Sequence, residues 1–216
     1  EFLNGLDLHH IGTRFGPQPS ERVIALLRQA CRSLAEAHGL GLVHRDIKPA
    51  NLFVTRLGTE YDYVKVLDFG VVKEQAGNDA TLLTNAGMVQ GTPAFMPPEI
   101  VMGDQSIDGR ADLYSLACAA YWALTGHQLF EANTPAQMLL QHVQTPPLPP
   151  SRKSELPIPR QFEAILMKCL EKDPGFRPSS ALELESQLAR VVCDAPWTNE
   201  RAQEWWKAHA PDAVGT

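Results

Sequence analysis

Two short motifs in the first third of the chain combine the residue types that phosphoryl transfer requires. Residues 44–51 read HRDIKPAN, and residues 68–70 read DFG. Moving a γ-phosphoryl group to a hydroxyl needs little covalent help from a protein, so catalysis consists of aligning the reactants and neutralising charge. A carboxylate must take the hydroxyl proton, a cation must face the phosphate, and hard oxygen ligands must hold magnesium.

Four side chains in these motifs meet those requirements in order. Asp46 would accept the proton, Lys48 would face the transferred phosphate, and Asn51 with Asp68 would ligate Mg²⁺. Taken singly, each has a plainer interpretation, because an isolated HRD triplet is usually surface charge and an Asp before a turn is often a cap. The order of the two motifs favours the chemical interpretation.

Between the two motifs the sequence predicts a β-hairpin. Apolar, strand-like runs at 51–54 and 64–67 flank a turn-prone stretch at 56–62. Pairing of these runs would bring Asn51 beside Asp68. Two oxygen donors from neighbouring strand ends suit Mg²⁺, which keeps several waters and takes few protein ligands.

The chain resembles the C-terminal lobe of a bacterial Ser/Thr protein kinase of the eukaryotic-like family. Three further segments follow the two motifs in the family's order, and they are 91–99 (GTPAFMPPE), 112–116 (DLYSL) and 173–178 (DPGFRP). The resemblance implies a fold that is mainly α with short β-hairpins, part of the α+β kinase fold. It also divides the chain into three parts. Residues 1–10 would form the hinge and the start of the first helix, residues 11–192 the lobe, and residues 193–216 a Trp-containing tail. Within the lobe, the catalytic loop would be 44–51 and the activation segment 68–99.

The resemblance also implies ATP and Mg²⁺ as cofactors and protein substrates as partners. Asp46 would be the general base, Lys48 would contact the γ-phosphate, and Asn51 with Asp68 would hold Mg²⁺. Lys48 and Thr92 match Ser/Thr rather than tyrosine kinases, and Thr92 would bond the catalytic Asp and Lys. Small-molecule phosphotransferases are a distant alternative, and a non-catalytic pseudokinase-type interaction domain is a second one.

Regulation by phosphorylation is predicted from the same resemblance. His44 would pack under Phe69, and Arg45 would receive a phosphorylated residue of the activation segment. Thr84 is the preferred site of autophosphorylation and Thr81 the next, with an unmodified loop threonine as the alternative. A homodimer would allow this reaction to occur in trans.

At the start of the chain the resemblance predicts contacts to the nucleotide. The backbone of Glu1 and Leu3 would meet the adenine edge, Asp7 would reach the ribose, and Phe53 would form the apolar floor. A helix-start cap is the alternative for Asp7, and ordinary core is the alternative for Phe53. No Gly-rich loop or strand lysine precedes the motifs, so we expect a chain that lacks the N-terminal lobe and is inactive alone.

Several structural roles are predicted as well. Asp112 would tie down the catalytic-loop backbone, and Glu99 with Arg177 would form a buried ion pair. Pro97 departs from the family's usual alanine. Six further helices are predicted. One is capped by Ser20 and ends at Gly39, another opens at Thr134 and Pro135 and reaches Val143, and two more span the apolar stretches 113–124 and 162–170. A fifth follows a Ser180–Glu183 capping box, and a sixth is capped by Thr198 or Asn199.

Composition predicts a globular cytoplasmic domain. The 216 residues are 44% hydrophobic, and 19 basic against 25 acidic residues give a net charge of -6. That balance offers no global attraction to nucleic acid or anionic membranes, and the longest apolar stretch is too short to span a bilayer. Four cysteines without CxxC spacing predict buried free thiols in a reducing compartment. Trp205 and Trp206 would pack on the lobe, with partner docking as the alternative.

Overall fold

The structure, a computed structural model, describes residues 4–69, 92–210 and 212. Glu1, Leu3, Thr81 and Thr84, for which roles are predicted above, lie outside the described residues. The helices and strands in chain order are β1 (Gly5–Asp7), α1 (Leu8–Phe15), α2 (Ser20–Gly39), β2 (Leu52–Leu57), β3 (Glu60–Val66), α3 (Pro98–Met102), α4 (Arg110–Thr125), α5 (Pro135–Gln144), α6 (Arg160–Cys169), α7 (Ala181–Ala189) and α8 (Asn199–His209).

Helix α4 lies at the centre of the core because it is apolar around its whole circumference. Residues 113–124 are buried except for the half-buried Trp122. The helix ends at Gly126, whose left-handed backbone (φ 71°) lets its N–H donate to the Trp122 carbonyl at 2.8 Å. Leu34 of α2 and Phe162 of α6 are fully buried in the same core. The predicted buried helix is confirmed.

A small antiparallel sheet, with strand order β1-β2-β3, covers one side of the helices. The β2–β3 hairpin is confirmed, with Leu52 opposite Val66. The predicted turn at 56–62 is wrong in extent, because both strands continue into that stretch and only residues 58–59 form the turn. The strands accommodate this through a shift in register between Thr55 and Leu57.

Of the side-chain caps predicted for α2, α5, α7 and α8, three are present and one is not. Thr134, Ser180 and Thr198 cap α5, α7 and α8, each accepting a hydrogen bond from a backbone N–H in the first turn. Ser20 is not a cap, because Pro19 takes that position and the Ser20 hydroxyl donates instead to the Pro157 carbonyl at 2.9 Å. The exception arises because a distant carbonyl competes for the hydroxyl.

The capping box of α7 is shifted by one residue from the prediction. The Glu183 carboxylate accepts from the backbone N–H and the hydroxyl of Ser179, at 2.7 and 2.6 Å, rather than from the Ser180 N–H. The Ser180 hydroxyl still accepts from the Glu183 N–H at 3.2 Å. The helix start is therefore satisfied by two serines instead of one.

The predicted ion pair between Glu99 and Arg177 is confirmed. Two nearly parallel hydrogen bonds of 2.6 and 2.8 Å join the guanidinium to the carboxylate, and both side chains are buried. This pair joins α3 to the segment before α7. It therefore fixes the end of the activation segment to the helical core.

Three of the four cysteines, Cys31, Cys118 and Cys169, are buried free thiols as predicted, and Cys193 is a half-buried one. Burial raises the pKa of Cys169 to about 12, so this thiol stays protonated at neutral pH. Within the described residues, no helix is both long enough and apolar enough to cross a membrane.

Candidate active site

Asp112, at the start of α4, holds the backbone of the catalytic loop. Its fully buried carboxylate accepts the backbone N–H groups of His44 and Arg45 at 2.9 and 2.8 Å. Arg45 has a left-handed backbone (φ 63°), which a non-glycine residue adopts only where its surroundings hold it. The predicted role of Asp112 as an anchor is confirmed by this geometry.

His44 joins the catalytic loop to the segment that carries Asp68. Its Nε2 lies 2.8 Å from the Leu67 carbonyl, and the Asp46 N–H lies 3.3 Å from its Nδ1. A carbonyl can only accept and an N–H can only donate, so the neutral tautomer with the proton on Nε2 satisfies both contacts. The Phe69 ring packs on His44 with centroids 4.7 Å apart, as predicted.

Lys48 connects the catalytic loop to Thr92 of the activation segment. Its ammonium donates to Asp46 Oδ2 at 2.9 Å and to Thr92 Oγ1 at 3.3 Å. The Lys48 and Asp46 side chains are 25% and 23% exposed, so the pair is sheltered yet open to a reactant. The bridge brings together three residues predicted to act in catalysis, although Thr92 is 44 positions away from Lys48.

Asn51 and Asp68 lie at the open end of the β2–β3 hairpin. The side-chain amide of Asn51 donates to the Asp46 backbone carbonyl at 2.8 Å, and the backbone carbonyl of Asn51 accepts the Leu67 N–H at 2.9 Å. Asp68 is exposed and has a left-handed backbone (φ 57°). Among residues 4–69 and 92–210, none donates a hydrogen bond to the side-chain oxygens of Asn51 or Asp68, which leaves hard oxygen ligands available for Mg²⁺.

Asp7 and Phe53 lie opposite each other on neighbouring strands β1 and β2. The Asp7 carboxylate caps α1, accepting the His10 N–H at 2.8 Å, so the capping alternative describes the structure. Phe53 is half-buried rather than part of the closed core. The contacts of Asp7 to a ribose and of Phe53 to an adenine remain predictions.

Sequence reasoning missed the role of His38, which extends the anchor of the catalytic loop. His38 Nε2 lies 2.8 Å from Asp112 Oδ2, so this carboxylate has three partners. The backbone at Gly109 passes so close that a side chain there would collide with the His38 ring. A histidine on the apolar side of α2, six residues before the catalytic motif, is the signal that could have drawn attention to it.

The anchored catalytic loop, the hairpin and the central helix α4 define the C-terminal lobe of a kinase-like fold. The family model for the protein kinase domain matches residues 1–198, so the chain belongs to the protein kinase family. The expected family and fold class are confirmed.

Two similar curated proteins are bacterial kinases. The chain is 38% identical over 193 residues to serine/threonine-protein kinase pkn3 of Myxococcus xanthus, covering 88% of this chain and 35% of that protein. It is 37% identical over 196 residues to serine/threonine-protein kinase PknB of Mycobacterium leprae, covering 91% of this chain and 30% of that protein. The chain thus spans about a third of the length of these relatives.

Solved structures share the fold. The crystal structure of Rad53 in complex with AMP-PNP matches with a TM-score of 0.69 and 25% identity, covering 88% of this chain and 46% of the Rad53 chain. The PknI kinase domain of Mycobacterium tuberculosis matches with a TM-score of 0.64 and 24% identity, covering 88% and 62%. The second likeness shows the fold alone.

Proposed function

We propose that this chain is the catalytic lobe of a Ser/Thr protein kinase, which transfers the γ-phosphoryl group of ATP to Ser or Thr hydroxyls of proteins. The observation that carries the proposal is the bridge from the Lys48 ammonium to Asp46 and Thr92. A carboxylate and a cation of the catalytic loop meet there with a hydroxyl of the activation segment. The printed names of the relatives support the same activity.

In this reaction Asp46 accepts or orients the proton of the acceptor hydroxyl. The Lys48 ammonium lies beside it, 2.9 Å from Asp46 Oδ2 and 3.3 Å from Thr92 Oγ1, and would face the transferred phosphoryl group. Thr92 holds the other side of Lys48 and would border the acceptor. This arrangement supports a Ser or Thr acceptor.

Mg²⁺ would be held by the side-chain oxygens of Asn51 and Asp68, and it would neutralise the charge of the ATP phosphates. The chain's own contribution is to aim these two oxygens. The side chain of Asn51 is fixed by the hydrogen bond that its amide donates to the Asp46 backbone carbonyl. Asn51 comes just before β2 and Asp68 follows β3, and these two strands are paired. The Rad53 structure, which holds AMP-PNP, supports nucleotide use by the same fold.

ATP binding would also use the start of the chain. The backbone of Glu1 and Leu3 would meet the adenine, Asp7 the ribose and Phe53 the apolar face of the base. We place the reaction in the cytoplasm, where ATP is supplied, and we propose a homodimer for phosphorylation in trans.

Arg45 suits the recognition of a phosphorylated residue. It is exposed, and its guanidinium forms no ion pair with any residue in 4–69 or 92–210. A phosphothreonine at Thr84, or failing that at Thr81, would supply the missing anion and fix the activation segment. Phosphopeptide mapping of the active protein tests this, and the absence of phosphate from both threonines would contradict it.

The proposed activity is tested by phosphate transfer from labelled ATP to a general protein acceptor, using the protein at its full encoded length. Asp46→Asn keeps the shape of the side chain but removes the base, so the rate should fall by roughly 10² to 10⁴. Asp194→Asn is the matched control, because Asp194 is exposed and distant in sequence from the site. Equal rates for wild type and Asp46→Asn would remove Asp46 from catalysis, and no transfer by wild type would favour the non-catalytic alternative.

A further inference from the structure

The end of the chain folds back onto the closed end of the catalytic hairpin. Residues 197–210, which include α8, are called the C-terminal clamp below. The protein kinase family match ends at residue 198, so α8 lies beyond it. The clamp nevertheless packs directly on β3, the strand that leads to Asp68.

Asp62 of β3 is one point at which the clamp attaches. Its buried carboxylate receives four hydrogen bonds, two from the Arg22 guanidinium at 2.7 and 2.8 Å. The other two come from the indole N–H groups of Trp197 and Trp206, at 2.8 and 2.7 Å. Asp62 has a left-handed backbone (φ 54°), which these contacts hold in place.

Arg22 joins the clamp to helix α2. Its side chain is fully buried, and its remaining terminal nitrogen donates to Gln18 Oε1 at 2.7 Å. The Trp205 ring of the clamp lies on the guanidinium at 3.6 Å, a close cation–π contact. Without the clamp, the Arg22–Asp62 pair would lose two donors and one aromatic cover.

The clamp also protects the free edge of the sheet. β3 is an edge strand, and Gln29 of α2 pairs part of its outer side: the Gln29 amide donates to the Asp62 carbonyl at 2.8 Å and its side-chain oxygen accepts the Val64 N–H at 3.1 Å. The Asn199 side chain accepts from the Tyr61 N–H at 2.7 Å and donates to the Thr59 carbonyl at 3.0 Å. It thereby replaces a neighbouring strand at the closed end of the hairpin.

We propose that Asp62 is a positioning residue for phosphoryl transfer, through which the C-terminal clamp sets the orientation of the catalytic hairpin. The proposal rests on the proposed function. Asp62 and Asp68 are separated by about 20 Å of extended chain, at roughly 3.3 Å per residue. A tilt of about 5° at the closed end would move the open end by nearly 2 Å, enough to misalign a reacting group.

Amide hydrogen exchange on the 216-residue chain tests whether the clamp holds the hairpin. Asn199→Ala removes both edge bonds from an exposed residue, and Trp197→Phe removes one donor to Asp62 while keeping an aromatic ring. We expect exchange in β2 and β3 to become about tenfold faster, with α4 and α6 unchanged. Asn133→Ala, at an exposed asparagine beside another helix start, is the matched control and should behave as wild type.

Unchanged hairpin exchange in both variants would overturn the proposal. Equal acceleration in α4 and α6 would overturn it as well, because the clamp would then support general stability only.

Steady-state kinetics of the full-length protein test positioning. Both variants should lower kcat by about threefold to tenfold and leave the KM for an acceptor peptide unchanged, since only alignment is affected. Faster hairpin exchange with wild-type kcat, or a raised KM at constant kcat, would overturn the positioning role. If wild type transfers no phosphate, the proposed function fails together with the kinetic part of this proposal, whereas the exchange data still decide whether the clamp holds the hairpin.

Discussion

Replacing Glu99 with glutamine should destabilise the fold strongly, because it leaves a fully buried guanidinium without a counter-charge. Arg177 uses all five of its N–H groups. Two bind the Glu99 carboxylate, and the others donate to the carbonyls of Glu171, Arg110 and Lys172 at 2.8, 3.1 and 3.0 Å. No donor is left for water, and the 0% exposure of the side chain prevents water from replacing the lost charge.

The magnitude follows from this burial. Removing one partner of a desolvated ion pair costs about 3 to 5 kcal/mol, whereas the intact pair contributes less than that. With an ordinary dependence of stability on denaturant, the urea midpoint of Glu99→Gln should fall by roughly 1 to 2 M at constant slope. Urea unfolding followed by tryptophan fluorescence measures this change.

Two further variants separate the effect of burial from the effect of charge. Glu131→Gln removes a carboxylate that contacts Lys153 at 3.1 Å but is 68% exposed, so its midpoint should match wild type. The double variant Glu99→Leu with Arg177→Leu should be less destabilised than the sum of its single variants, because neither charge remains unpaired. A loss below about 1 kcal/mol in Glu99→Gln would refute the reasoning, since it would mean that water reaches the guanidinium.

Three other perturbations have defined outcomes. Asp112→Asn replaces one of two accepting oxygens, so the backbone at Arg45 loses a partner; the phosphate-transfer rate should fall by roughly 10²-fold, and an unchanged rate would contradict the anchoring role. Burial, together with the nearby charge of Lys172, lowers the pKa of His142 to about 4. The unfolded state therefore binds more protons between about pH 6.5 and 4, and stability should fall by roughly 3 kcal/mol as pH drops through that window, a dependence that His142→Gln should lack in urea titrations. Iodoacetamide should label Cys193 well before the three buried thiols, and equal labelling in the native protein would contradict their burial.

Much of the active site could be predicted from the sequence because its parts are local. The HRDIKPAN motif sets Asp46, Lys48 and Asn51 within six positions, and a hairpin with readable strands returns the chain to Asp68. The anchoring by Asp112 and the Glu99–Arg177 pair joins residues that are 67 or more positions apart. Those contacts were predicted through the family resemblance rather than from periodicity.

The errors arose where tertiary contacts outweigh local preference. Ser20 is a residue type that often caps helices, but its hydroxyl donates a hydrogen bond to the Pro157 carbonyl instead. The polar stretch around Asp62 looks like a turn, yet its carboxylate is buried by Arg22 and two indoles. The spacing of residues along the chain does not indicate that α2, β3 and residues 197–206 meet at one point. The sequence therefore predicted that the tryptophans are packed but not which residues they contact.

The measurement that most directly tests the central claim is the affinity of Mn²⁺, used in place of Mg²⁺, for the full-length protein with a non-hydrolysable ATP analogue, followed by electron paramagnetic resonance. If Asn51 and Asp68 hold the metal while Asp46 serves the acceptor, Asp68→Asn should weaken Mn²⁺ binding by roughly tenfold or more. Asp46→Asn should bind Mn²⁺ as wild type does. Equal affinities for wild type and Asp68→Asn would contradict the account.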